Sequence, residues 1–287
     1  MNDEVMAVRA NALNEAGHRL SLNEQRIVLL AISKIRRDNS KDGTRVDSRQ
    51  WYTVTAEELA EAAGIASSTA YTEMRTAVEH LWERDVRIVG GPNGKHKGGK
   101  GQRVTRARWV QGVEYERRSG KIRLMFSEPV TPYLTQLYEQ FTPLHLEEVS
   151  PMRTRYGPRL YELIRQWRRQ QHKPITVSIE WLKETWGIPY KRVYDIKRHA
   201  IEPAVRDVER YSRYTVTVSY KKQGRQVTHA VIEFRLKYRN SSTGTTMTPE
   251  ELRELHNPQG KLSDYAQTDH AEESIASMKA IADRRNK

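Results

Sequence analysis

The sequence contains no cysteine, which excludes a disulfide framework, thiolate zinc sites and cysteine nucleophiles together and leaves the chain indifferent to redox compartment. No apolar run approaches the roughly 18 residues that a membrane-spanning helix needs. The start, MNDEVMAVRA, lacks the charged-then-apolar layout of a signal peptide, so the expected location is cytoplasmic and no membrane partner is expected. Catalytic signatures are equally scarce. None of the nine histidines forms the pair separated by one apolar residue that a rolling-circle nickase would use for its metal, and HExxH is absent. The stretch GKHKGGKG (94–101) approximates the phosphate-cradling GxxxxGK[ST] but ends in Gly101 where a hydroxyl is required, and strands follow it. An ATPase is therefore rejected, no cofactor or metal is expected, and an endonuclease is the remotest reading. His145, Glu147 and Glu148 could in principle hold a metal; helix-capping acids in a linker account for them better.

What the sequence has in excess is positive charge. Lysine and arginine number 49 against 36 acidic residues, a net +13 over 287 residues. That balance favours a polyanionic partner, nucleic acid before an anionic membrane, although composition alone does not choose. Position sharpens it. Residues 241–287 hold six Lys/Arg and eight Asp/Glu, so the tail is −2 and the body carries +15. The length suits two ordinary domains.

A repeat supports that division. TVTAEELAEAAGI (53–65) lies over TVSIEWLKETWGI (176–188) at an offset of 123, matching Thr53, Val54, Leu59, Gly64 and Ile65 to Thr176, Val177, Leu182, Gly187 and Ile188. The register continues with Tyr71, Arg75 and Ala77 on Tyr194, Arg198 and Ala200. Thr55 with Glu58 forms a capping box, and Ser178 offers an N-cap without the glutamate. Gly64 and Gly187 stand where a helix end favours a left-handed residue, so each copy predicts a helix, a tight turn and a second helix.

Period-two patterns follow each second helix. VRIVG (86–90), RARWVQGVEYE (106–116) and KIRLMF (121–126) predict strands in the first copy, and YTVTVSY (214–220) and VTHAVIEFRL (227–236) flank KKQGR in the second. Helices 21–35, with a Ser21/Glu24 capping box, and 153–170 complete the modules. The fold class is α+β: two tandem winged-helix domains, residues 1–142 and 143–240, with a partly disordered C-terminal tail, 241–287.

The second helix of the second module is YKRVYDIKRHAIEPAVRDVERY (190–211). Val193, Ile196, Ala200, Ala204 and Val208 form its apolar face, leaving Lys191, Arg192, Tyr194, Asp195, Lys197 and Arg198 outward as candidate DNA readers. Arginine can fork onto guanine edges, and lysine suits phosphate. Pro203 removes an amide hydrogen and crowds the preceding turn, which predicts a kink or restart after about residue 202. The equivalent helix of the first module (67–85) offers Ser67, Ser68, Thr69, Tyr71, Thr72 and Arg75 against Ala70, Met74, Ala77 and Leu81. Its hydroxyls fit phosphate contact, and equally a domain built for protein contact. GGPNGKHKGGKGQR (90–103) reads as a mobile basic wing or a disordered loop.

LNEAGHRLSLNEQRIVLLAISKI, MFSEPVTPYLTQL, RYGPRLYELIRQW and YKRVYDIKRHAIEPAVRDVERY, in that order, resemble the initiator (Rep) proteins of iteron-containing, theta-replicating bacterial plasmids. The resemblance covers about residues 7–238. It implies two winged helices that bind double-stranded DNA at origin direct repeats, with the second module the stronger major-groove reader. It also implies a homodimer in equilibrium with monomer, in which monomers open the origin and dimers repress the protein's own promoter. Host DnaA and the replicative helicase are the implied partners. Leu13, Leu20 and Ile27 are similar to the family's leucine-zipper-like stretch, with Gly17 between them. Loop 90–103 and tail 241–287 depart from the family pattern. A tandem winged-helix transcriptional regulator without initiator activity is the alternative.

Overall fold

The computed structural model describes residues 5–35, 49–92, 101–116, 119–135, 141–168, 173–239 and 246–247. Most of loop 90–103 and nearly all of the tail expected at 241–287 lie outside these residues. The chain through Leu236 forms one compact unit, and residues from Lys237 onward form another.

The first module opens with β1 (Met6–Ala10), α1 (Asn11–Asn14), β2 (Gly17–His18) and α2 (Leu22–Ser33). Ser21 caps α2: its hydroxyl accepts from Glu24 N at 3.3 Å, and the Glu24 carboxylate accepts from Ser21 N at 2.9 Å. Next come β3 (Tyr52–Thr55), α3 (Ala56–Ala63) and α4 (Ser67–Leu81). The Thr55–Glu58 capping box forms as the spacing predicts, with both bonds present at 3.2 and 2.8 Å. Gly64 ends α3 in the left-handed region at φ 62°, and Ile65 N donates back to Ala60 O at 3.1 Å. Those bonds satisfy carbonyls that the helix end would otherwise strand, and they aim the chain into α4.

After α4 the chain makes a hairpin of β4 (Asp85–Val89) and β5 (Val104–Arg108), then β6 (Val110–Glu116) and β7 (Lys121–Phe126). The expected single strand 106–116 is two strands in different sheets. β5 joins the order β2-β4-β5, whereas β6 joins β3-β7-β6. Trp109 is the corner. Its side chain is fully buried and its amide donates to Arg84 O at 3.1 Å, so the chain turns there to keep the indole inside. Then follow α5 (Pro132–Thr135), β8 (Phe141–His145), which returns antiparallel to β1, and α6 (Leu146–Val149).

The second module repeats the design without the inserted hairpin. It comprises α7 (Gly157–Trp167), β9 (Ile175–Ser178), α8 (Ile179–Trp186) and α9 (Val193–Ile196). A π-helical turn, Lys197–Ile201, leads into α10 (Glu202–Tyr211), followed by wing strands β10 (Tyr214–Gln223) and β11 (Gln226–Leu236). Its sheet order is β10-β11-β9, matching β6-β7-β3. Ser178 accepts from Trp181 N at 3.0 Å, Gly187 takes φ 61°, and Ile188 N donates to Lys183 O at 3.0 Å. Offset by 123, these are the bonds of the first copy. In the second unit β12 (Tyr238–Arg239) pairs antiparallel with β13 (Thr246–Met247).

One cluster of buried apolar side chains runs through both modules, from Ala7 to Phe234. Leu13, Leu20 and Ile27 belong to it and are at most 2% exposed. They do not form a zipper. α1 ends at Asn14, the chain passes through β2, and Leu20 lies between elements, so no continuous helix presents all three.

Candidate nucleic-acid interface

Each module presents the start of its second helix to solvent. In α4, Ser67, Ser68, Thr69, Thr72 and Arg75 are exposed while Ala70, Met74, Ala77 and Leu81 are buried. Ala66, the residue before α4, provides no side-chain cap, so the first amides of this helix point outward without a protein partner from the cap. Tyr71 is half-buried instead, its hydroxyl 2.7 Å from that of Tyr115 on β6. Arg75 is engaged within the protein: its Nε donates to Glu79 Oε1 at 3.4 Å, and its guanidinium lies 5.7 Å from the Tyr115 ring centre.

In the second module, Lys191 and Arg192 precede the helix, with Arg192 extended at the N-cap position. They are exposed, as are Tyr194 and Arg198. Tyr194 is 64% exposed, the largest value among the exposed large apolar and aromatic side chains, and its hydroxyl accepts from Arg198 NH1 at 3.1 Å. Asp195 is half-buried. Lys197 is half-buried too, because its ammonium sits 3.6 Å over the Tyr220 ring on β10. Lys197 thus ties the helix to the wing, whereas Lys191, Arg192 and Arg198 remain exposed. The wing tip adds exposed Lys221, Lys222 and Arg225 around a left-handed Gly224. Sequence reading placed KKQGR between strands without counting it in the site; its three cations at a hairpin tip were the signal.

The expected restart falls close to where Pro203 predicts it: α10 begins at Glu202, with Pro203 in its first turn. Backbone angles on both sides stay right-handed helical, and the turn ahead of it is widened into π geometry. The buried Ile196, Ala200, Ala204 and Val208 explain why. Residues spaced by four drift about 40° per step on an α-helix, and one wide turn absorbs that drift and keeps them on the core. The same widening removes the i−4 bond to which proline could not contribute.

The modules meet on α7. Arg159, buried in α7, donates to His18 Nε2 on β2 (2.8 Å), to Ala16 O (2.9 Å), to Thr185 O on α8 (3.1 Å) and to Glu162 (2.8 Å). Glu162 also takes the Arg9 guanidinium of β1. Burial brings the Arg159 guanidinium down to about 10, opposed by Glu162, and drives His18 well below its ordinary value with help from Arg159, Arg9 and Arg155. A second cluster joins α7 to α6 and the wing base: Tyr161 donates to Glu148 at 2.6 Å, Arg213 pairs with Glu148, and Arg165 donates to His145 Nε2 at 2.9 Å. His145 and Glu148 are thereby committed to structural partners, and no group of three metal-ligating side chains occurs among the described residues. No helix among them is long and apolar enough to cross a membrane.

Comparison with known proteins agrees with this architecture. A family model described as "Initiator Replication protein, WH1" matches residues 6–165, and "Initiator Rep protein, WH2" matches 178–234. A replication initiation protein of Escherichia coli is 24% identical over 238 residues, covering 81% of this chain and 70% of that protein. Among solved structures, the Pi initiator protein in complex with iteron DNA superposes with a TM-score of 0.64 at 19% identity, covering 82% of this chain and 99% of that one. The two-module match, in order and over most of the chain, shows that this protein belongs to the replication initiator (Rep) family, whose members are built from two winged-helix domains.

Proposed function

We propose that the chain binds double-stranded DNA at direct repeats of a plasmid origin, promotes origin opening, and brings host DnaA and the replicative helicase to it. It acts without covalent chemistry, as a DNA-binding protein of the bacterial cytoplasm. Residues 143–240 are the main reading domain, with Lys191, Arg192, Tyr194, Asp195, Lys197 and Arg198 at the major groove. Residues 1–142 add Ser67, Ser68, Thr69, Tyr71, Thr72 and Arg75 in the monomer and serve dimerisation in the dimer, which represses the protein's own promoter. The observation that carries this reading is the start of the helix at Val193. Lys191, Arg192, Tyr194 and Arg198 stand in solvent there, beside a wing tipped with Lys221, Lys222 and Arg225, on a helix whose opposite face is buried. The N-terminal residues of such a helix reach base edges when it enters the major groove. The Pi protein, of the same fold, is described in complex with iteron DNA.

The test is a gel-shift titration on the direct repeats beside the gene, on inverted half-sites and on scrambled duplex. Preference for direct repeats is expected. Joint charge reversal, Arg192→Glu with Arg198→Glu, should abolish that preference. Equal affinity of wild type and double variant for the repeats would overturn the assignment.

A further inference from the structure

A second group of cations lies away from both reading helices, where the modules touch. Arg19 follows β2 of the first module, and Arg153 and Arg155 precede α7. Arg19 and Arg153 are exposed and Arg155 is half-buried. Arg19 and Arg155 converge on the turn of the second helix-turn-helix, with Arg153 two residues before Arg155. A Cβ on Gly187 would lie 2.8 Å from Arg19 Cγ, 2.9 Å from His18 O and 3.5 Å from Arg155 NH2. The first module is therefore pressed onto the turn that leads into the helix at Val193. From the other side, α2 begins three residues after Arg19, and Asn23 in its first turn donates to Glu73 of α4 at 2.7 Å. Arg19 thus lies on the segment that joins the Gly187 turn to the helix bonded to α4.

These guanidinium groups have no carboxylate partner among the described residues. Arg155 lies 5.4 Å over the Tyr156 ring, and Arg153 donates to the Tyr211 hydroxyl at 3.2 Å. The nearby carboxylates are engaged elsewhere, Glu73 by Asn23 and Asp207 by Thr154 N and Oγ1 at 2.7 and 2.6 Å. The cluster also acts on its surroundings: Arg153 contributes to lowering the buried Arg26, and Arg155 to lowering His18. Cations brought to one turn without a carboxylate to pair them suit an external polyanion.

We propose that Arg19, Arg153 and Arg155 form a third DNA contact, a clamp on the phosphates of the duplex stretch running between the two reading helices. This rests on the duplex-binding reading above. Two helices on one face of DNA enter major grooves about 34 Å apart, and the sugar-phosphate backbone between them crosses the seam. Phosphate contacts set register without reading sequence. The clamp fixes the spacing between the two contacts, and the reading helices supply preference.

The test is the salt dependence of binding to a random-sequence 40-base-pair duplex and to the origin repeats. Arg19→Ala and Arg155→Ala should each flatten the plot of log K against log salt by about 0.9, and the double variant by about 1.8. Preference for repeats over random duplex should stay as in wild type. Arg19→Lys with Arg155→Lys should restore the slope, and thermal melting checks that each variant folds. A double alanine variant that melts like wild type and keeps its slope overturns the clamp. Wild type showing no preference for repeats overturns the duplex-reading assignment instead, and the slopes on random duplex still decide the clamp.

Discussion

Arg159 NH1 donates a 2.8 Å hydrogen bond to His18 Nε2, joining α7 of the second module to β2 of the first. The bond needs a free lone pair on Nε2, so the neutral ring carries its proton on Nδ1. The 3.5 Å approach of Leu20 N to Nδ1 is then not a second hydrogen bond. Burial, Arg159, Arg9 and Arg155 all oppose protonation, and the Trp109 ring closes the pocket edge-on at 5.4 Å.

Acid should therefore loosen the protein through His18. The folded chain holds this ring neutral while the unfolded chain protonates it near pH 6.5. The unfolded state gains the proton, and stability is constant above that pH and falls below it. Between pH 6.5 and 5.5 the loss should approach about 1 kcal/mol from this group. His18→Gln, which keeps an acceptor and cannot titrate, should flatten that limb of a melting-temperature profile; an unchanged limb would show that other groups set it.

The two left-handed glycines should respond differently to alanine. Nothing lies within 4 Å of a Cβ on Gly64, so Gly64→Ala should cost only the backbone term, about 1 to 2 kcal/mol. Gly187→Ala meets Arg19 Cγ and His18 O as well and should cost clearly more, with part of it recovered by Arg19→Gly. Urea denaturation of the three variants measures the difference.

Glu162 holds two buried cations, Arg9 and Arg159. Glu162→Ala leaves both uncompensated and should destabilise by about 3 to 5 kcal/mol. Exposed Arg123–Glu114, with both side chains about half-exposed, should lose under about 1 kcal/mol on Glu114→Ala. Paired chemical denaturation curves rank them.

Pro203→Ala tests what widens the turn at 197–201. If the spacing of Ile196, Ala200, Ala204 and Val208 sets it, alanine should keep the wide turn and cost about 0.4 to 1 kcal/mol through a looser unfolded chain. DNA affinity should stay within about two-fold. A large change in affinity would mean that the proline itself imposes the geometry.

The duplicated modules were legible because their signals are local. Capping hydroxyls, a left-handed glycine and alternating strands each lie within a few residues of what they control, and the offset of 123 made two weak patterns support each other. Trp109 defeated the strand reading because alternation continues across 106–116 while burial of one indole breaks the strand in two. The zipper-like leucines failed for a similar reason: spacing by seven cannot reveal that β2 interrupts the helix. Lys197 looked like its neighbours until Tyr220, 23 residues on, was found beneath it. The seam was invisible, since Arg19 and Arg155 are 136 residues apart and only tertiary packing brings them to one turn.

The shared helix α7 has a mechanical corollary. Arg9, Glu162, Arg159 and His18 neutralise or solvate one another across the joint, so a small swing of one module against the other would strand several of them before water could enter. Such a joint resists bending and then gives way all at once. The separation between the two reading tips should accordingly behave as a fixed ruler, changing by a threshold event rather than by gradual flexing.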